Sequence, residues 1–322
     1  MLVLPSTSER YLSVASAGPR GFLAAHDWIA LAYLVIMRGL LVVTDAHAEV
    51  ALRLDASLVV LLAGCALRAA PWQGPTWTRA RTTLYRLALV FVVLQSYLSL
   101  RDLLPILRSD SVDATLLAID RALLGETPAI WLQRLNVRPL VEWFSFFYFS
   151  YFVICGFFIT MALWGLKDHE LISRFAIGSL LVLFIGQLGY VAVPGFGPVR
   201  ELAQAFAAPL DGGPMWGLVD HTVAQAGAMK DIFPSLHTAL PTWFSLFAFQ
   251  AARRDPRFKT IAPITAFFAA NIVVSTMFLR WHYAIDVAVG LALAITASFV
   301  APRIAALEQR IRAERRLDSP WA

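Results

Sequence analysis

Phe175 to Val199 reads FAIGSLLVLFIGQLGYVAVPGFGPV, without one Asp, Glu, Lys or Arg. About 20 apolar residues carry a helix across ~30 Å of hydrocarbon, so this run is long enough to span a bilayer. Thr260 to Leu279 is equally uncharged. So is Val287 to Pro302, which extends back through Tyr283 at the cost of including Asp286. Leu140 to Leu166 carries only Glu142, and Ile232 to Ala252 has no Asp, Glu, Lys or Arg. Weaker windows lie near 27–44, 54–70 and 83–104, the first holding Arg38 and the third ending at Arg101. The expectation is eight spans.

The whole chain agrees. Of its 322 residues 58% are hydrophobic and 15% charged, with a mean hydropathy of +0.64. A soluble domain has about 45–50% apolar and ~25% charged residues. This excludes disorder, a disulfide scaffold and an ordinary cytosolic enzyme. The net charge is +5; in a bilayer protein it points to cationic cytoplasmic loops, not to nucleic acid. Cys65 and Cys155 lie in apolar runs and read as packing residues. The N-terminus lacks the pattern of a signal peptide.

The expected organisation is a cytoplasmic lead over 1–26, accessory spans over 27–82, a catalytic membrane domain over 83–303 and a basic cytoplasmic tail over 304–322. Within the catalytic part, 105–139 reads as an amphipathic interfacial segment, and the Gly-, Pro-, Asp- and His-rich 195–231 as the longest loop. Counting Lys and Arg over alternate loops puts most cations on the side of both termini, which should be the cytoplasm. The expected location is a bacterial inner or plasma membrane.

Polar residues inside a membrane protein are costly and point to function. Three clusters qualify: Pro194-Gly195-Phe196-Gly197-Pro198-Val199-Arg200, Phe233-Pro234-Ser235-Leu236-His237-Thr238, and the run from Ser275 to Asp286. Chain direction brings all three to one side, the outer one. Arg is the natural bidentate partner of phosphate oxygens. His282 and Asp286 are four apart and share a helix face. The carboxylate can take the Nδ1 proton and leave Nε2 as nucleophile. His237 is then a general acid, and Ser235 with the N–H groups opening its helix can bind phosphate oxygens.

The Ser-Leu-His motif at 235–237 and the Ser-Thr, His-Tyr, Asp and Gly pattern from 275 onward resemble the type 2 phosphatidic acid phosphatase superfamily. Phe233 to His237, Ser275 to Asp286 and the upstream Asp120-Arg121-Ala122-Leu123-Leu124-Gly125-Glu126-Thr127-Pro128 look most like its inositol phosphorylceramide synthase branch, which transfers phosphoinositol between lipids. The resemblance covers roughly 115–303. It implies an all-α polytopic membrane bundle with a six-helix catalytic core, here with about two added N-terminal helices. It also implies that His282 forms a phosphoenzyme, that Asp286 orients it and that His237 donates the proton. Ser235 and Arg200 would contact phosphate. The superfamily usually places a Lys seven residues before that Arg, where this chain has Val193, and Ser-Arg where it has Ser275-Thr276. Arg280 and Lys230 are the candidates to supply the missing charge. No cofactor or metal is implied.

The reading that follows is a lipid phosphotransferase with a phospholipid or lipid-phosphate donor and a lipid-alcohol acceptor. The alternatives are a phosphatase with water as acceptor and, in another class, a phospholipid-binding transporter or scaffold. Blander readings apply elsewhere. Arg38 snorkels or pairs with another span, Asp220-His221 is a solvated loop pair, and Phe144 to Phe158, with Tyr148 and Tyr151, is a packing or lipid-facing surface.

Overall fold

The computed structural model describes residues 22–42, 48–70, 75–226 and 230–321. Most of the expected N-terminal lead lies outside them. Twelve α-helices are described: α1 (Ala25–Val42), α2 (Ala48–Ala69), α3 (Pro75–Leu107), α4 (Asp113–Leu124), α5 (Pro128–Leu132), α6 (Arg138–Thr160), α7 (His169–Ala192), α8 (Pro198–Glu201), α9 (Pro214–Ala226), α10 (Leu236–Ala251), α11 (Phe258–Phe278) and α12 (Ala284–Glu314). No strand occurs among the described residues.

The chain is an all-α, integral membrane protein. Seven helices are long and apolar enough to cross a bilayer: α1, α2, α3, α6, α7, α11 and α12. The eighth expected span, α10, has 16 residues, about 24 Å at 1.5 Å per residue, because its first turn cannot begin before Pro234 and Ser235. The apolar window Ile232–Ala252 overstated it. Only 28% of the α6 window is buried inside the protein, and Phe146, Phe152, Val153 and Phe157 are exposed on it. Such an apolar exterior suits lipid contact. α12 runs unbroken from Ala284 to Glu314 and so carries the start of the basic tail.

The chain divides into two compact units. The first comprises 1–99, 159–180 and 299–322. In it, Asp27 is fully buried and pairs with Arg68 at 2.8 Å, while Tyr85 donates to its other oxygen at 2.5 Å. His26 lies 2.5 Å from the Tyr85 hydroxyl and stacks on Trp321, whose indole N–H donates to Ser173. Arg38 pairs with Asp55 of α2 at 3.0 Å, the span-to-span pairing expected of it.

The second unit comprises 100–158 and 181–298. α10 and α11 form an antiparallel pair joined through a short turn. The segment expected as the longest loop contains α9, a helix of 13 residues. Its capping group comes from far along the chain: the Glu142 carboxylate accepts N–H bonds from Gly213, Met215 and Trp216 at 2.8–3.0 Å. A carboxylate at a helix N-terminus satisfies orphan donors and opposes the helix dipole. Asp220 and His221 are exposed on α9.

Candidate functional site

Backbone hydrogen bonds stitch the three polar clusters together within the second unit. Val199 N–H donates to Arg280 O at 2.8 Å, tying the first cluster to the third. Ser235 N–H donates to Asp286 O at 3.1 Å, tying the second to the third. Two glycines permit these approaches. Gly197 has φ +85, and a Cβ on it would lie 2.2 Å from Trp281 O. A Cβ on Gly290 would lie 2.6 Å from Ser235 O. Both distances are shorter than any side chain tolerates, and the first position also needs the left-handed backbone that glycine adopts freely.

At the centre, His282 Nδ1 lies 3.4 Å from Asp286 Oδ2, long for a hydrogen bond but in the expected (i, i+4) register. The same oxygen accepts Tyr283 N–H at 3.0 Å. The His237 ring lies 6.2 Å from the His282 ring, centroid to centroid. It stacks on Tyr148 at 4.5 Å and lies 4.2 Å from Tyr151. These α6 tyrosines, read from sequence as general packing, fix the plane of the second histidine. His237 Nε2 and Asp286 Oδ1 are buried and have no hydrogen-bond partner among the described residues.

Ser235 is the N-cap of α10, its side chain accepting Thr238 N–H at 3.3 Å. That places it beside the histidines but already gives its hydroxyl a structural bond. Ser275 and Thr276 direct their hydroxyls back to Ile272 O and Val273 O. Thr276 O instead accepts the N–H groups of Trp281 and His282 at 3.0 and 3.1 Å, turning the chain into α12.

The cations are less closely gathered. Arg200, exposed on the one-turn α8, places its guanidinium 3.8 Å from the Phe196 ring centroid. Lys230 does not offer a free ammonium: Nζ donates to Arg108 O, Ser109 O and Asp110 O at 2.8–2.9 Å. Those three bonds engage all its donors at the end of α3, so it is unsuited to replace the first-motif Lys. Arg280 has φ +69 and points its guanidinium at Ala208 O, 3.1 Å away, over the Phe206 ring at 3.9 Å.

Two carboxylates absent from the residue-by-residue reading hold the arrangement. Asp113 accepts Phe196 N–H at 2.7 Å and Gly197 N–H at 2.8 Å, the Tyr283 hydroxyl at 3.1 Å, and the Ser111 hydroxyl. Asp120 accepts Ala284 N–H at 2.9 Å and Ile285 N–H at 3.0 Å, capping α12, and Thr127 Oγ1 at 2.7 Å. Both aspartates are almost fully buried. They lie seven apart on α4, on the same face as buried Leu116 and Leu117. Two carboxylates on the buried stripe of an otherwise amphipathic helix were the available sequence signal.

A family profile described as the PAP2 superfamily matches residues 114–300. No curated protein and no solved structure matches the chain. The matched stretch is more than half the chain and holds all three clusters together with Asp120. The chain belongs to the PAP2 superfamily, whose membrane-embedded members are phosphatases and phosphotransferases acting on lipid substrates.

Proposed function

We propose that this member of the PAP2 superfamily is a lipid phosphotransferase of the inositol phosphorylceramide synthase type, moving an inositol phosphate-like headgroup between lipids. The observation that carries the reading is the pair of imidazoles, 6.2 Å apart, with Asp286 behind one of them. One imidazole is then oriented to attack and the other to move a proton.

In the first step His282 Nε2 attacks phosphorus while Asp286 holds Nδ1–H. The phosphorus–oxygen bond to the donor alcohol breaks, and His237 gives that oxygen its proton. In the second step an acceptor hydroxyl loses its proton to His237 and attacks phosphorus. The phosphorus–nitrogen bond of the phosphohistidine breaks and His282 is restored. Arg200 neutralises the equatorial oxygens, with Ser235 at the edge of the same space. Electrostatic clamping of this kind carries much of the rate in phosphoryl transfer. The reaction is assigned to the outer face of the membrane, with both termini cytoplasmic, because most loop cations lie on the termini's side.

A tracer assay tests the reading. Purified protein given headgroup-phosphate-labelled phospholipid and a lipid alcohol should form a new labelled lipid, and His282→Ala should form none. Release of the label only in water-soluble form, as inositol phosphate from a diester donor or inorganic phosphate from a lipid monophosphate, would assign water as the acceptor. No turnover on a wide lipid panel would overturn the enzyme reading in favour of a binding protein.

A further inference from the structure

A cavity of about 660 Å³ is lined by the α5 region, Ala207 and Ala208, and Arg280 on the turn before His282. That volume suits a small-molecule or headgroup ligand. Its lining includes Trp131, Gln133, Arg134, Asn136, Ala208 and Arg280, and no carboxylate. Its loop wall is fixed: Gln133 Oε1 accepts Ala207 N–H at 3.0 Å, and Asn136 bonds Pro209 O and Asp211 N–H at 2.8 Å each.

The charge in this cavity is unbalanced. Arg280 is 6% exposed, yet its polar partner is one backbone carbonyl, and it forms no ion pair with a described residue. Burial lowers its pKa with no carboxylate to offset it; a guanidinium nonetheless stays charged. Its left-handed backbone, unfavourable for a non-glycine residue, is held by Val199 N–H on its carbonyl, and the residue lines the cavity. Arg134, exposed in the same lining, likewise forms no ion pair with a described residue. A buried charge without a counter-charge is costly, and an anion supplied by a ligand removes that cost. Arg280 is two residues before His282, on the turn that leads into it.

We propose that this cavity seats a second anionic group of the lipid headgroup, a phosphate or carboxylate beyond the one transferred, gripped by Arg280 and Arg134. The substrate class is thus a phospholipid with a polyanionic polar head. The proposal rests on lipid phosphotransfer at the histidine pair.

The test is a binding measurement that needs no turnover. Thermal-shift titrations of the full-length protein in detergent compare inorganic phosphate, inositol 1-phosphate and inositol 1,4-bisphosphate. The bisphosphate should half-saturate at a concentration at least about tenfold lower than the monophosphate, which corresponds to ~1.4 kcal/mol. Arg280→Gln should remove the preference. Arg134→Gln, on an exposed residue that leaves the fold intact, should cut it several-fold. Equal half-saturation in the wild type, or a preference that survives both substitutions, overturns the proposal. Inorganic phosphate matching the bisphosphate would make the cavity a free-anion site and remove the headgroup assignment. A retained preference without lipid turnover sinks phosphotransfer alone, whereas turnover without preference sinks the cavity alone.

Discussion

Two buried clusters in this chain use nearly the same side chains to opposite ends. The first unit groups His26, Asp27, Arg68, Tyr85 and Trp321; the second groups His237, His282, Asp286, Tyr148 and Tyr151. In the first, both oxygens of Asp27 are engaged, one by Arg68 and Ala24 N–H and the other by Tyr85. Arg68 reaches Asp27, Tyr85 and Phe22 O together. In the second, one oxygen of Asp286 has no partner among the described residues, and neither has His237 Nε2. His26 too has an unpartnered nitrogen, but it is fully buried, whereas His237 is partly exposed. The two networks thus differ in a carboxylate oxygen left without a described partner and in the partial exposure of one histidine.

The sharpest break of this comparison exchanges its histidines. His282→Ala should lower phosphotransfer about 10⁴-fold or more, as loss of a covalent nucleophile does. His26→Ala should leave kcat of the folded fraction unchanged and lower the melting temperature. The tracer assay and thermal unfolding in detergent separate the two. Next, His237→Gln should slow transfer about 10²–10⁴-fold, and far less with a donor whose alcohol is a good leaving group, because the proton is no longer needed. Equal slowing of good and poor leaving groups would remove His237 from proton transfer.

The aspartates give the intermediate effects. Asp120→Asn and Asp113→Asn each weaken two charge-assisted bonds to backbone N–H groups, worth about 1.5–3 kcal/mol apiece. They should reduce kcat about 10- to 100-fold with little change in KM, and Thr127→Val should follow Asp120→Asn more weakly while Thr127→Ser restores activity. Asp27→Asn breaks a buried ion pair, a loss of about 3–5 kcal/mol, and should appear in melting temperature with kcat retained. The smallest effect is expected from Ser235→Ala: about 1 kcal/mol of helix-cap stability, with activity down only a few-fold. A collapse of activity there would give the hydroxyl a direct role on phosphate.

Much of this was legible in the chain. Uncharged runs near 20 residues marked the long helices because the bilayer demands that length. The spacing of His282 and Asp286 marked their shared face. The length of α10 was misjudged because an apolar run does not reveal where a Pro and a cap begin the helix. α9 was missed because its cap, Glu142, lies about seventy residues earlier. The role of Lys230 was overstated because composition cannot show that three carbonyls already surround its ammonium. Asp113 and Asp120 passed without assigned roles because their partners are backbone N–H groups, which every sequence has and none displays.

The aspartates of α4 also decide which groups are left to meet a ligand. The main-chain donors of the 196–197 turn and of the first turn of α12, natural cradles for an oxyanion, are already occupied from within by Asp113 and Asp120. In the proposed reaction the incoming lipid is therefore met chiefly by side chains such as Arg200 and Arg280. In that reaction the choice of lipid lies with replaceable side chains, while α4 keeps the backbone of both turns fixed.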